Sequence, residues 1–531
     1  MKRRTFLRNS VALAGGALLV PDTVLAGRYA QQSGRDPVAT QLWRMSAREL
    51  GALIARKKVS VREVVEAHVQ RIQEVNPSVH AITMLLESSL ADADARYALL
   101  AQRAGVGPLF GVPFSVKVNI DVEGSATTEG VGRLKDNVVD ADSPHVGMLR
   151  RAGAIPVARA NMPDFGLRFH TDNDLYGPTI NPWNRALTPG GSSGGDAVAV
   201  ATGMVPLGLG NDLGGSIRYP AQCCGVCGLR PSRGRIASST RATSQGSASH
   251  SLRSMAVQGP LARRVDDLRV ALQIMSAFDP RDPHWVPAPM DGGLRRPFRI
   301  ALIADPAGLG VDDSVRSGVT RAASILEKYG GIVEEIDSSS LRESAHLWLE
   351  MIATDIRQLF LSGINELASE ASRTFASEMI RLSGEGSLGG YVHSLARING
   401  IAQSWGASFQ TYDVILGPVS SRNPFPVGFD VAGPDSARSV LETQVLTVTV
   451  NLLGLPSVAV PVCVSQGIPQ AVQIIGPMFQ EMRILDVAEL IEKEVGAFTP
   501  IDPRAAAHES MAAYPPRRDA SVGSDRVYSH P

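Results

Sequence analysis

Two serines in glycine-rich settings are the residues of this 531-residue chain best suited to nucleophilic chemistry. Ser192 lies within the run GGSSGG (190–195), and Ser216 follows the run DLGG (212–215). Glycine accepts positive φ and lets the backbone approach a ligand closely, so several N–H groups can converge beside such a serine. That arrangement suits a nucleophile that needs an oxyanion hole next to it.

The spacing of these glycines excludes two nucleotide-binding loops and leaves two interpretations of Ser193. Leu213 stands where a dinucleotide fingerprint beginning at Gly208 requires glycine, and no GKS or GKT triplet follows for a phosphate loop. Residues 191–195 match G-x-S-x-G, a nucleophile elbow centred on Ser193, but an elbow needs a preceding strand and NPWNRALTPG is typical of a loop. The alternative is a turn that opens a helix, with Ser193 near the N-cap.

A lysine upstream could supply the base that such a serine needs. Lys117 lies in the β-type run GVPFSVKVN (111–119), between Val116 and Val118, as the single charge on an otherwise apolar strand. Desolvation drives a buried lysine toward its neutral form, which can act as a general base. Without the two serine segments a structural role would be the better interpretation, since a lone lysine is usually solvated.

These segments, with several others in the same order, resemble the amidase signature family. The matching segments are GVPFSVKVN, TPGGSSGGDAVAVATG, GNDLGGSIRYPAQCCGVCGLRPSRGR, GPLARRVDDL, YDVILGP, NLLGLPSVAVPV and GIPQAVQIIGP. The resemblance extends from about Trp43 to Val495, with a poor match over about 305–410. Several separate motifs in one order are much more specific than one short pattern.

The resemblance implies an α/β fold: one large mixed β-sheet covered by helices, with a variable helical cap that selects substrate at about 305–410. It also implies a Ser–cis-Ser–Lys triad, in which Ser216 is the nucleophile, Ser192 the bridging serine after a cis Gly191–Ser192 bond, and Lys117 the base. Such a site needs no metal or organic cofactor. Its oxyanion hole would consist of the backbone N–H groups of Leu213, Gly214, Gly215 and Ser216.

Neighbours of the triad are expected to support it. We expect Asp212 and Arg218 to form an ion pair that fixes the nucleophile loop, and Ser193 to support the bridging serine. Three positions depart from the family pattern. Val118 stands where family members often have Asp after the lysine, and Asn211 stands where they often have Thr or Ser. Gln470 occupies a position that is usually Gly. The first two could alter the environment of the lysine.

The first 26 residues are typical of an export signal. KRRTFLR (2–8) is a twin-arginine pattern, followed by the apolar run VALAGGALLV and a Val-Leu-Ala cleavage site. We therefore expect a signal peptide over 1–26, an amidase domain over 27–502 and a polar, flexible tail over 503–531, with a periplasmic or secreted location. The alternative is a basic start followed by a buried helix.

Composition fits a soluble enzyme. Lys and Arg number 52 and Asp and Glu 52, so the formal net charge of zero gives no general attraction to nucleic acid or membrane. We expect a small-molecule amide substrate, no nucleic acid, no stable membrane association and no fixed oligomeric state beyond a possible homodimer.

The four cysteines do not form a recognisable metal or disulfide pattern. Cys223, Cys224 and Cys227 follow the nucleophile segment, and Cys463 lies far downstream. No second CxxC or HxxxH pair completes a zinc site, so buried free thiols are the better interpretation.

Flanking segments predict the scaffold around the site. Capping boxes at Ser46 and Ser60 open two amphipathic helices, the second with His68 in the core. A buried strand is expected over 154–160, a connector over 279–297, a helix over 315–329 and a helical stretch over 341–410. Loop residues that could line the pocket are Asp164, His170, Asn173 and Tyr176, and aromatic or apolar cap residues are Trp348, Met351, Phe360 and Trp405.

The predicted function is hydrolysis of a carboxylic amide through a seryl acyl-enzyme. An ester, carbamate or lactam hydrolase with the same triad remains an alternative, because the nucleophile does not itself select the leaving group. The glutaminase subunit of a tRNA-dependent amidotransferase and a non-catalytic binding protein on the same fold are further alternatives.

Overall fold

The computed structural model describes residues 39–102, 106–238 and 249–504. The predicted export signal and residues 505–531 of the predicted tail lie outside the described residues. At the end of the described chain, Arg504 is held by a backbone hydrogen bond from its N–H to the Pro182 carbonyl and by a side-chain bond to Gly467.

One mixed sheet of eleven strands forms the centre of the described chain, in the order β1-β3-β2-β4-β6-β5-β10-β11-β9-β7-β8. The strands are β1 (Ile82–Leu85), β2 (Pro113–Lys117), β3 (Ile155–Ala160), β4 (Leu207–Asp212), β5 (Cys227–Arg230), β6 (Val257–Ala262), β7 (Phe298–Leu302), β8 (Gly331–Glu335), β9 (Val414–Pro418), β10 (Ser457–Ser465) and β11 (Ile468–Ile475). Strand β2 is parallel to both β3 and β4, whereas β5, β10 and β11 pair antiparallel. The expected mixed α/β fold is confirmed.

Both faces of the central strands are covered. Every residue of β2, β3, β5, β6 and β9 is buried. In a half-exposed sheet alternate residues would face water, so continuous burial requires a layer on each face. The mostly apolar run 154–160 is long enough only for a strand, which explains why β3 was predictable from sequence.

Sixteen α-helices of the described residues surround this sheet. They are α1 (Ala47–Ala55), α2 (Val61–Val79), α3 (Ser89–Gln102), α4 (Pro144–Arg151), α5 (Gly194–Ala201), α6 (Arg218–Cys224), α7 (His250–Met255), α8 (Val265–Met275), α9 (Asp313–Lys328), α10 (Leu341–Asp355), α11 (Leu361–Leu367), α12 (Glu370–Ser383), α13 (Leu388–Thr411), α14 (Pro434–Glu442), α15 (Val445–Leu452) and α16 (Glu481–Val495). Both predicted capping boxes are present, at Ser46 before α1 and Ser60 before α2. His68 is buried in α2, where its Nδ1 lies 2.8 Å from the Val64 carbonyl.

The range predicted to form a cap contains two kinds of structure. Residues 313–335 contribute α9 and the edge strand β8 to the sheet and its cover, whereas helices occupy most of 341–411. Within this helical segment, Trp348 and Met351 are buried, and Trp405 lines a cavity of about 490 Å³ beside α16. None of the helices in the described residues is long and apolar enough to cross a membrane.

Candidate active site

Lys117 is the last residue of β2, and the strand holds it in the interior. Lys117 pairs with Ala160 on β3, and the preceding residue, Val116, pairs with Leu209 on β4. The lysine side chain is fully buried. The apolar residues around it in sequence make β2 an interior strand. The burial of Lys117 in this strand changes the acid–base behaviour of its amine.

Ser192 is the direct partner of this lysine. The Gly191–Ser192 peptide bond is cis, as expected from the family pattern. Lys117 Nζ lies 2.6 Å from Ser192 Oγ, and Ser192 is only 2% exposed. The bond joins a strand end and a glycine-rich turn that are 75 residues apart in sequence, in a setting that excludes bulk water.

Ser216 lies in the turn between β4 and α6, next to the Ser192 turn. The Ser193 N–H donates to the Ser216 carbonyl at 3.1 Å, which holds the two serine segments together. Ser216 is half-exposed, unlike Ser192 and Ser193. The structure therefore brings all three predicted triad residues into one region, with Ser216 more exposed than Ser192 and Ser193.

A buried ion pair shapes the Ser216 turn. Arg218 donates to Asp212 from Nε and Nη2, each at 3.0 Å, and both side chains are fully buried. The same carboxylate accepts the N–H of Ile217 at 3.2 Å. Burial alone would raise the pKa of Asp212, but the Arg218 charge and its hydrogen bonds, with Arg230, hold it well below its ordinary value.

The C-terminal half of the chain anchors this ion pair. Arg218 also donates to Gln473 Oε1 on β11 at 2.9 Å and to Asn451 Oδ1 on α15 at 2.6 Å. Asn451 Nδ2 in turn donates to Asp212 Oδ1 at 2.8 Å. Asn451 and Gln473 were not predicted as site residues. Their only sequence signal is that they lie within the two C-terminal segments that match the family.

The glycines of the Ser216 turn are required by their surroundings. Gly215 has φ +105°, and an added Cβ would lie 2.5 Å from Thr447 Cγ2. An added Cβ on Gly214 would lie 2.7 Å from the Trp348 ring. Trp348 Nε1 donates to the Leu213 carbonyl at 3.0 Å, so this cap residue fixes the orientation of the Leu213–Gly214 peptide.

The N–H of Gly215, one of the predicted oxyanion-hole groups, already has a hydrogen-bond partner. Its N–H donates to Asp212 Oδ1 at 2.9 Å, so in this conformation the group is engaged within the turn. The short spacing from Asp212 to Gly215 lets the carboxylate close the turn on itself, as Asx side chains commonly do. Leu213 and Gly214 remain the predicted donors to an oxyanion, with Ser216.

Desolvation dominates the electrostatics of Lys117. Burial lowers the pKa of the amine to about 7, against the opposing effects of Asp196, Glu129 and Asp212. Asp196 is buried on α5, accepts a hydrogen bond from Ser115 Oγ at 2.6 Å, and has its pKa raised by burial to about 7. Burial also raises the pKa of Glu129, to about 8. Burial therefore makes it easier for the lysine to lose its proton near neutral pH.

Asn211 is a second partner of Lys117. Its Oδ1 accepts a hydrogen bond from Lys117 Nζ at 2.7 Å, and its Nδ2 donates to Asn119 Oδ1 at 3.0 Å. The sequence marked Asn211 only as a departure from the family pattern and gave no role to Asn119. Asn119 lies two residues after Lys117, and Asn211 one residue before Asp212. These positions become informative only when β2 and β4 are known to be neighbours.

Ser193 occupies the N-cap position of α5 but makes no capping hydrogen bond. Its buried Oγ donates to the Asn211 carbonyl at 3.4 Å. Because the Ser193 side chain is buried against the β4 backbone, it is suited to supporting the turn and unsuited to attacking a substrate.

The loop residues expected near the pocket make internal hydrogen bonds. Asp164 accepts one from Ser372 at 2.7 Å, His170 Nδ1 lies 2.9 Å from Thr188 Oγ1, and Asn173 Nδ2 donates to the Met162 carbonyl at 2.7 Å. These contacts fix the loop between β3 and α5 and connect it to α12 and to Thr188, shortly before the Ser192 turn.

The described residues show no alternative metal or disulfide chemistry. Within them, no group of three or more His, Cys, Asp or Glu side chains could hold a metal ion. All four cysteines are free, with Cys223, Cys224 and Cys227 buried and Cys463 half-buried.

Comparison with known proteins gives one consistent result. Residues 63–485 match the family model described as Amidase. An indoleacetamide hydrolase from Bradyrhizobium diazoefficiens is 36% identical over 460 residues, which cover 86% of this chain and 87% of that protein. A glutamyl-tRNA(Gln) amidotransferase subunit from Methylococcus capsulatus is 32% identical, and the match covers 84% of this chain and 96% of that protein.

Solved structures agree with the sequence relatives. The crystal structure of a bacterial aryl acylamidase, described as an amidase signature enzyme, superposes with a TM-score of 0.73 at 27% sequence identity. The match covers 85% of this chain and 96% of that one. The resemblance therefore extends through the sheet, the helices and the segments that carry the candidate site.

Proposed function

Because the chain belongs to the amidase signature family and is a hydrolase of amide C–N bonds, we propose that it acts through a Lys117–Ser192–Ser216 relay. The observation that carries this proposal is the 2.6 Å contact between the buried Lys117 amine and Ser192 Oγ, beside the half-exposed Ser216. A lysine whose pKa is lowered by burial to about 7 can act as a base at neutral pH.

In the acylation step, neutral Lys117 accepts the Ser192 proton while Ser192 accepts the proton of Ser216. Ser216 Oγ forms a bond to the substrate carbonyl carbon, and the carbonyl electrons move onto oxygen. Backbone N–H groups of Leu213, Gly214 and Ser216 stabilise that oxyanion. The C–N bond then breaks as the relay returns a proton to the leaving amine.

In the deacylation step, water attacks the Ser216 ester. The same relay takes a proton from that water and returns one to Ser216 Oγ, which releases the carboxylic acid. The Asp212–Arg218 pair stays charged throughout and keeps the turn in place. The residues in this scheme supply every proton transfer that hydrolysis requires.

We propose a small amide with an apolar acyl group, and a primary amide in particular, as the substrate class. The similarity to an indoleacetamide hydrolase and to an aryl acylamidase supports this choice. Esters, carbamates and lactams remain alternatives because the same nucleophile would attack them.

The test is product release from indoleacetamide, other primary amides, anilides, lactams and esters, with intact-protein mass spectrometry to detect the acyl-enzyme. We expect ammonia from primary amides and an acyl adduct on the peptide that contains Ser216. Ser216→Ala should lose both, while Ser193→Ala, the matched control, should retain the adduct. An adduct on Ser193, or full turnover by Ser216→Ala, would refute the relay.

The similarity to an amidotransferase component supports a second candidate, a glutaminase that works with partner proteins. This candidate requires ammonia release from L-glutamine in preference to apolar amides. Comparing kcat/KM for glutamine and for indoleacetamide with one enzyme preparation decides between the two.

We propose that the protein is exported through the twin-arginine route, on the basis of KRRTFLR and the apolar run that follows it. Fractionation of cells that produce the full chain should place the wild type outside the cytoplasm. Replacing Arg3 and Arg4 by lysine should keep the protein in the cytoplasm. Equal distribution of both proteins would contradict the proposal.

A further inference from the structure

Asn211 holds the Lys117 amine from a direction different from that of Ser192. Its Oδ1 lies 2.7 Å from Lys117 Nζ, and the same nitrogen lies 2.6 Å from Ser192 Oγ. An amide oxygen can only accept hydrogen bonds. Lys117 must therefore direct one N–H at Asn211 in both its charged and its neutral state.

Asn119 binds the nitrogen end of the Asn211 amide. Asn211 Nδ2 donates to Asn119 Oδ1 at 3.0 Å, and both asparagines are half-buried at the ends of adjacent strands. Because this bond uses the nitrogen end of the amide, the oxygen end is directed at Lys117. A flipped amide would bring its NH₂ group against the lysine.

A neutral lysine amine has two N–H groups and one lone pair. With one N–H bound to Asn211, the lone pair is confined to the remaining directions, and Ser192 Oγ lies in hydrogen-bond contact there. We propose that Asn211, oriented by Asn119, is a positioning residue that aims the Lys117 lone pair at Ser192. This inference rests on the proposed relay and assigns a function to a position where the chain departs from its family.

The uncharged character of Asn211 matters because the lysine already faces several carboxyl groups. These are Asp196 on α5, Glu129 in the loop after β2, and Asp212 on β4, and each favours the ammonium form. Burial opposes them and keeps the pKa of Lys117 at about 7. A further carboxylate in direct contact would keep the lysine protonated, whereas an amide orients it without adding charge.

The test is the pH dependence of kcat/KM between pH 5 and 9 for the wild type, Asn211→Asp, Asn211→Leu and Asn119→Leu. Asn211→Asp should move the midpoint of the acid limb upward by about one pH unit or more, as expected for an adjacent opposite charge. Asn211→Leu should lower the plateau of kcat/KM by about tenfold to a hundredfold, because the lost hydrogen bond is to an amine that becomes charged as it accepts the proton. Asn119→Leu should lower this plateau less, with the same sign.

The matched control is Asn365→Leu on the exposed surface of α11, which should leave the profile unchanged. Thermal melting of each variant separates loss of folding from loss of positioning, and Asn211→Asp keeps the test open if Asn211→Leu does not fold. Unchanged profiles in both Asn211→Asp and Asn119→Leu would overturn the inference.

Ser216→Ala and Lys117→Met are assayed in the same series to separate this inference from the relay. If both are inactive while the Asn211 variants match the wild type, only the positioning role fails. If either retains turnover, the relay itself fails, and the positioning role fails with it.

Discussion

Removing the negative charge of Asp212 should be among the most destabilising single changes in this protein. Asp212→Asn keeps the shape of the side chain but leaves Arg218 fully buried without its counter-ion. Loss of one partner from a buried ion pair typically costs about 3–5 kcal/mol. Since folded proteins are stable by only about 5–15 kcal/mol, the change should remove a large part of the stability.

The contacts of Asp212 determine the size of this effect. The carboxylate accepts hydrogen bonds from Arg218, Asn451 and the backbone of the Ser216 turn. An asparagine has one acceptor oxygen, so its NH₂ group would face one of these donors and repel it. Because several hydrogen bonds are lost, we expect the loss of unfolding free energy to lie in the upper part of the range of about 3–5 kcal/mol.

The assay is urea unfolding of the wild type and of Asp212→Asn at pH 7, with tryptophan fluorescence as the signal that reports unfolding. Asp266→Asn is the matched control, because Asp266 pairs with Arg48 on the surface, where both side chains are at least 36% exposed. An exposed pair contributes about 0–1 kcal/mol, so this control should unfold near the wild-type midpoint. Asp212→Asn/Arg218→Met should recover part of the loss, because it removes the buried charge.

The pH dependence of this contribution has a defined sign. The pKa of Asp212 is lower in the folded state than in the unfolded chain, so the unfolded state binds the proton more readily. The stabilisation is therefore fully present above the unfolded pKa of about 4 and decreases as the pH falls below it. If Asp212→Asn changed the unfolding free energy by no more than Asp266→Asn does, the argument from the buried pair would be refuted.

Four further predictions test other parts of the structure. Wild-type kcat/KM should fall about tenfold per pH unit below pH 7, because Lys117 must be unprotonated, and a flat profile from pH 5 to 9 would exclude a titrating base. Trp348→Phe should lower kcat about fivefold with little change in KM, since it removes about 1 kcal/mol of hydrogen bonding to the Leu213 carbonyl, and equal kcat values would contradict this role. Gly215→Ala should abolish turnover, because its φ of +105° and the nearby Thr447 both exclude a Cβ; an active variant would show that the turn can shift. Ser60→Ala should lower stability by about 1 kcal/mol in thermal unfolding without changing kcat, through loss of the α2 cap.

Local sequence patterns predicted much of the scaffold. The two capping boxes, the buried strand β3 and the helical stretch predicted over 341–410 each depend on residues close in sequence, and each is present. The mixed sheet followed from the family resemblance and is confirmed. Its strand order was not predictable, because pairings such as β5 with β10 join segments more than 200 residues apart.

The residues of the site also fall into two groups, those that the sequence indicated and those that only the fold brings in. Glycine-rich turns and a lysine in an apolar run drew attention to Lys117, Ser192 and Ser216, and the family resemblance assigned them to one site. The residues that tune this region come from elsewhere. Asn211 faces Lys117 across two strands, and Gln473 reaches Arg218 from 255 residues away. The use of the Gly215 N–H by Asp212 depends on the detailed shape of the turn, which no spacing rule specifies.

The anchoring of the Ser216 turn has a consequence for the order in which the protein becomes active during synthesis. Lys117, Ser192 and Ser216 have all been translated when less than half of the chain exists, but the contacts of Arg218 to Asn451 and Gln473 require the segment that ends at β11. Contacts so distant in sequence form late, after the intervening chain has been ordered. A nascent or truncated chain that ends before α15 therefore carries every proposed catalytic side chain without these contacts of Arg218. Completion of the last hairpin of the sheet, which brings Gln473 to Arg218, is thus the step after which we expect hydrolytic capacity.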